Sequence, residues 1–79
     1  MPALWEEAGF IFRFRMGDCD ERPHVHVTGN GGGAKIWLQP VALEKSRGYA
    51  DPQIGRILRI AGEHDREWLA EWEKRCGSD

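Results

Sequence analysis

From residue 10 the chain alternates between apolar and mostly polar positions. Phe10, Phe12, Phe14 and Met16 occupy every second place, with Ile11, Arg13 and Arg15 between them. Period two predicts a half-buried strand whose phenylalanines and Met16 face a core. The polar stretch Gly17-Asp18-Cys19-Asp20-Glu21-Arg22-Pro23 predicts a loop closed by proline. A second strand is expected from His24 to Thr28, with Val25 and Val27 on its inner face and His24 and His26 on its outer face. Gly29-Asn30-Gly31-Gly32-Gly33 predicts a hairpin loop, in which Asn-Gly adopts positive φ at little cost. A third strand, Ala34 to Leu38, turns Ala34, Ile36 and Leu38 one way and Lys35 and Trp37 the other. From Pro40 to Tyr49 the pattern weakens, and Val41 and Leu43 fit a short fourth strand or a loose turn ending near Gly48.

The period then changes. Asp51 suits a helix N-cap and Pro52 the first helical position. Ile54, Ile57, Leu58, Ala61, Trp68 and Trp72 fall on one helical stripe, and Gly77 stands where a C-cap glycine belongs. From Gln53 to Arg75 such a helix would be roughly 35 Å long at the usual rise per residue. Gly55 and Gly62 weaken it and allow a bend near Gly62. The expected fold is α+β. A single domain over 1–79 comprises a lead-in (1–9), a small antiparallel sheet of three to four strands (10–49), and one long C-terminal helix (51–76) packed across one sheet face.

Length and composition limit the function classes. A chain of 79 residues, 41% apolar and 30% charged, has room for one core. A formal charge of −2, from 11 basic and 13 acidic residues, argues against a domain that wraps duplex nucleic acid by bulk electrostatics. Cys19 and Cys76 have neither metal-site spacing nor the look of a disulfide framework, so two free thiols in a reducing cytosol are expected. No segment has the ~20 apolar residues of a membrane span, and the start Met1-Pro2-Ala3-Leu4-Trp5-Glu6-Glu7 lacks the pattern of a signal peptide. A cytoplasmic location follows from these expectations.

Charge alters the picture on one face. If the helix covers the valines and phenylalanines, the opposite face carries Ile11, Arg13, Arg15, His24, His26, Lys35 and Trp37. Glu63, Glu67, Glu71 and Glu73 fall mostly on the outside of the helix, so the domain should be electrically two-sided. The candidate binding surface is Arg13, Arg15, Lys35 and Trp37. Cations and an aromatic ring suit RNA, with phosphates on Arg and Lys and bases on the ring. An acidic partner protein suits the same charges, and a solvated polar sheet face accounts for them without any ligand. Leu4 and Trp5 are the residues placed to cover Trp37.

His24 and His26 leave the same strand face and are the candidate catalytic residues. Beside Arg13, Arg15 or Lys35, an imidazole could take a 2′-hydroxyl proton from RNA while the cations stabilise the phosphorane. The same pair has the spacing to share a metal ion. However, His64 belongs to the helix, on the far side of the sheet, so a three-histidine site is not expected and neither metal nor cofactor is assigned. Asp65 falls within the helix's apolar stripe and needs an ion-pair partner, from Arg22, Lys45, Arg47 or a histidine, or an opening to water. The glycine run is no phosphate loop, since no Gly-Lys-Ser/Thr follows it.

Several segments in this order resemble a known family. They are Gly9-Phe10-Ile11-Phe12, Arg22-Pro23-His24-Val25-His26-Val27, Ala34-Lys35-Ile36-Trp37-Leu38-Gln39-Pro40-Val41, Gly48-Tyr49, and the helix with Ile57-Leu58 and Glu63-His64 through Trp72. Over about residues 8 to 77 the chain resembles the bacterial family known as domain of unknown function 4160. Members often lie beside a gene for a second small family, domain of unknown function 2442, in a layout like that of toxin–antitoxin pairs. The resemblance therefore implies a small partner protein from an adjacent gene. It carries over His24, His26, Lys35, Trp37, His64 and Trp72. Gln39 departs from the family's usual Asp before the proline, and Pro23 stands where the family commonly has two or three prolines. The expected function is that of an interaction or regulatory component of a two-gene module. The alternative is a small metal-independent ribonuclease or RNA-binding module. Exposed strand edges also allow a homodimer.

Overall fold

A computed structural model of the chain describes residues 3–15 and 18–77. Met16 and Gly17, expected at the end of the first strand and the start of the loop, lie outside the described residues. Five strands form one antiparallel sheet whose spatial order is the chain order: β1 (Trp5–Glu7), β2 (Phe10–Arg13), β3 (His24–Gly29), β4 (Gly32–Leu38) and β5 (Val41–Arg47). A short 3-10 turn, Asp18–Asp20, interrupts the β2–β3 connection, and α1 (Asp51–Cys76) follows the sheet. Fold class and helix position are as the sequence predicts, but five strands replace the expected three to four. The added strand comes from the supposed lead-in, where Trp5-Glu6-Glu7 pairs with Phe12-Ile11-Phe10. The ambiguous segment after Pro40 is a full seven-residue edge strand.

Turn chemistry explains the compact meander. β1 and β2 join through Ala8-Gly9, β3 and β4 through Asn30-Gly31, and both residues of each turn have positive φ. Paired left-handed residues match the twist of a two-residue hairpin. The Asn30 side chain donates from Nδ2 to the Ala8 carbonyl at 2.9 Å and ties one turn to the other. Gly29 lies so close that a Cβ there would collide with the Gly9 carbonyl. Three of the five glycine-loop residues, Gly29, Gly32 and Gly33, therefore belong to strands, which shortens the expected loop to two residues.

The core lies between the sheet and α1. Phe10, Phe12, Phe14, Val25, Val27, Ile36 and Leu38 are buried on the sheet side, and Ile57, Ile60, Ala61, Trp68 and Trp72 on the helix side. Trp68 meets Phe12 with ring centroids 5.1 Å apart, and Trp72 meets Phe14 edge-to-face at 5.3 Å. Ile60 joins the buried stripe beside the residues expected there, while Ile54 and Leu58 are only partly covered. The unbroken helix of 26 residues should measure roughly 39 Å. That matches the longest dimension of the molecule, 39 Å.

Two helix-end expectations meet different outcomes. Gly77 is left-handed and donates its N–H to the Glu73 carbonyl at 3.0 Å, as a C-cap glycine should. At the other end Ala50, not Asp51, is the N-cap. Alanine has no side-chain acceptor for the first-turn amides, so only the reverse half of a capping box forms, with the Ala50 N–H donating to Gln53 Oε1 at 2.8 Å.

The cysteines also depart from expectation. Cys19 and Cys76 form a disulfide, with Cα atoms 5.4 Å apart, which pins the end of α1 to the loop before β3. Separated by 57 residues in sequence, they meet only because the helix returns along the sheet. The argument for a reducing compartment from free thiols is thereby lost. Among the described residues, no helix is long and apolar enough to cross a membrane.

Two stability measurements follow. A Cβ added at exposed Gly55 or Gly62 meets nothing within 4 Å. Gly55→Ala and Gly62→Ala should each raise the unfolding free energy by about 0.5–1 kcal/mol in urea titrations. Purified protein should show no reactive thiol before reduction, and reduction should lower its unfolding free energy by about 2–4 kcal/mol. Two free thiols in the untreated folded chain would contradict the pairing.

Candidate functional site

With α1 on one side, the chemistry of the sheet gathers on the other. A groove of about 590 Å³ crosses β3, β4 and β5, and its charged lining comprises Arg15, Lys35, Lys45, Arg47 and Glu21, with His26 and Thr28 beside them. Register brings these together, because His26 pairs with Lys35 and Lys35 with Lys45, while Gly33 pairs with Arg47. A bulge between Lys35 and Ile36 keeps Lys45 and Arg47 in this alternation despite the extra residue Glu44 in β5.

The cations are not equivalent. Lys35 Nζ lies 2.5 Å from Glu21 Oε1, with only 14% of its side chain exposed, so its charge is largely answered within the protein. Lys45 is directly across the strand from it, and like charges in that position repel. Arg15, Lys45 and Arg47 are exposed. Among the described residues no carboxylate pairs with them. They give the groove its uncompensated positive charge. Arg13, opposite His26, is half-buried and its Nε is buried without a hydrogen-bond partner, so part of its guanidinium is withdrawn from solvent.

Trp37 and His24 differ most from expectation. Trp37 is partly exposed, but the Arg22 guanidinium lies 4.5 Å and Lys35 Nζ 4.9 Å from its ring centroid. Both contacts are cation–π interactions that occupy the ring as a stacking surface. Trp5, placed by sequence as a cover for Trp37, packs instead on His64 with centroids 4.3 Å apart.

His24 was expected on an open face beside His26. The two rings do meet edge-to-face at 5.0 Å, yet His24 is only 1% exposed. Trp37 covers it at 5.7 Å and Trp72 of the helix at 5.1 Å. The reason is local: β2 stops pairing at Arg13, opposite His26, so no strand flanks His24 on that side and its ring reaches the helix. Its Nδ1 is 2.7 Å from the Arg22 carbonyl, which can only accept, so Nδ1 carries the proton. His26 remains partly exposed in the groove.

Two residues of the groove were missed by sequence reasoning, Lys45 and Arg47, because their strand carries no legible alternation. Asp65 is half-buried, and among the described residues no cation pairs with it. Its charge is met by the opening to water rather than by the expected ion pair. His64 donates from Nδ1 to Glu67 Oε1 at 2.9 Å and stacks on Trp68, far in role from the strand histidines.

Beneath the groove floor lies Tyr49. Its ring occupies the space that a Cβ on Gly32 would need, and its hydroxyl donates to the Gly29 carbonyl at 2.7 Å. Burial raises its pKa above the ordinary 10.0.

Comparison with known proteins gives one match: residues 9–73 match the family described as "Domain of unknown function (DUF4160)". No curated protein and no solved structure is significantly similar to the chain.

Tyr49 is the sole tyrosine, so its ionisation can be read without ambiguity. Ultraviolet difference absorbance should place its midpoint above that of the unfolded chain. The unfolded state releases this proton first. The contribution of the neutral phenol to stability should therefore be intact below pH 10.0 and fall as pH rises through the folded value. Tyr49→Phe should remove that alkaline dependence and cost about 0.5–1.5 kcal/mol for the lost hydrogen bond.

Proposed function

The chain belongs to the DUF4160 family, and on that premise we propose that it is a protein-interaction component of a two-gene, toxin–antitoxin-like module, with the outer groove as its docking site. The occupant is an acidic segment of the partner protein. One observation carries the reading: a chain of net charge −2 concentrates Arg15, Lys45 and Arg47, without carboxylate partners among the described residues, around a single groove. An acidic ligand would answer the charges of Arg15, Lys45 and Arg47, which line the same groove. The adjacent strand β5 is also an edge, whose free backbone groups can pair with an extended segment.

The same geometry bears on the nucleic-acid alternative. A base needs an open aromatic face, and the ring of Trp37 is already engaged by Arg22 and Lys35. Proton transfer by paired histidines needs both to reach substrate, and His24 is enclosed by Trp37 and Trp72. Protein docking therefore has the stronger support.

The test is co-expression with the product of the adjacent reading frame. The pair should purify together, and binding should weaken as salt rises. Lys45→Glu combined with Arg47→Glu, both at exposed positions, should lower affinity roughly tenfold or more without unfolding the chain. Unchanged affinity in the double variant would remove the groove from the interface. Retention of RNA in place of a protein partner would favour the nucleic-acid reading.

A further inference from the structure

A second cluster of chemistry lies away from the groove, where β1 meets α1. Glu7 from the strand and Glu63 and His64 from the helix bring one ligand atom each within 4.8 Å of one another. We propose that these three side chains bind a divalent first-row transition ion, with Zn²⁺ as the representative case, and that the ion clips β1 to the helix.

The donor set suits this class. An imidazole and two carboxylates give a borderline site that transition ions accept, whereas Mg²⁺ and Ca²⁺ favour oxygen donors throughout. With metal–ligand bonds near 2.1 Å, ligand atoms stand about 3 to 4 Å apart. Closing the set from its present spacing needs only small side-chain rotations.

The ligands are also held in place from behind. His64 donates from Nδ1 to Glu67 Oε1 at 2.9 Å, so the lone pair of the neutral ring resides on Nε2. A carboxylate behind a histidine is the arrangement that orients metal-binding imidazoles. The ring is gripped further by Trp5 at 4.3 Å and by Trp68, nearly parallel at 5.3 Å. Glu7 receives the Trp5 indole N–H on Oε1 at 2.9 Å, which leaves its second oxygen for a ligand. Among the described residues no lysine or arginine pairs with Glu7 or Glu63. A cation is therefore what this junction lacks, and it would tether a strand of only three residues.

The experiment uses the full chain, stripped with a chelator and titrated with Zn²⁺ alone. One ion per chain should bind, raise the thermal midpoint by several degrees, and move the His64 ring resonances in NMR spectra. Mg²⁺ and Ca²⁺ should do none of these. Glu7→Gln and Glu63→Gln should abolish the shift. Glutamine keeps the oxygen that accepts from Trp5, so the metal-free midpoint should remain near that of the parent. Glu67→Gln, which touches only the histidine, should weaken binding roughly tenfold, and His26→Ala should leave it unchanged. Zn²⁺ affinity that survives in the Glu7→Gln/Glu63→Gln double variant, or no thermal response in the parent, would overturn the assignment.

Discussion

Two aromatic rungs between sheet and helix hold the rest of the molecule in place. Phe12 against Trp68 and Phe14 against Trp72 are four residues apart on the helix and two apart along the strand segment. Those spacings align one helical turn with one strand repeat, so they set both the side on which α1 lies and its direction. In a domain this small, each such ring supplies a large share of the apolar area available. The orientation of every other feature follows. It sends the valines inward and His26 and Lys35 outward. It also carries Cys76 back to Cys19 and sets His64 against Trp5.

The division of labour between the two faces is a consequence of this packing. An antiparallel sheet covered on one side leaves the other free for polar residues. Here that free side is basic, whereas the helix exposes both signs, Glu63, Glu67 and Glu73 beside Arg56, Arg59 and Arg66, so the electrical two-sidedness expected from the sequence does not extend to the helix. The enclosed His24 sits between the two systems, touching Trp72 on the helix and Trp37 on the sheet. It joins the groove's rim to the core through packing.

What was legible in the sequence was whatever burial had written as a period. The phenylalanine strand, the valine strand, the Asn-Gly turn and the helix with its terminal Gly77 all carry one face toward the core, and their patterns were readable. β1 and β5 are edges with little burial, so Trp5-Glu6-Glu7 and the run from Leu43 to Arg47 carry no such mark. That also hid Lys45 and Arg47, half of the groove's cations. Alternation placed His24 and His26 on one face, where their rings do meet. It could not foresee that β2 ends two residues too early to flank His24. The disulfide was illegible for a different reason: its partners lie 57 residues apart in sequence, and only the returning helix makes them neighbours.

The order of the sheet has a consequence for the protein's first moments. Each strand pairs with the one before it, so the meander can assemble as the chain leaves the ribosome, from local contacts that form quickly. The helix follows the sheet in the chain, and its tryptophans lie in its second half. Until they arrive, Phe10, Phe12 and Phe14 line an aromatic surface with nothing upon it. The newborn chain, rather than the finished fold, is thus the state most prone to stick to its neighbours, and the one on which a holding chaperone would act.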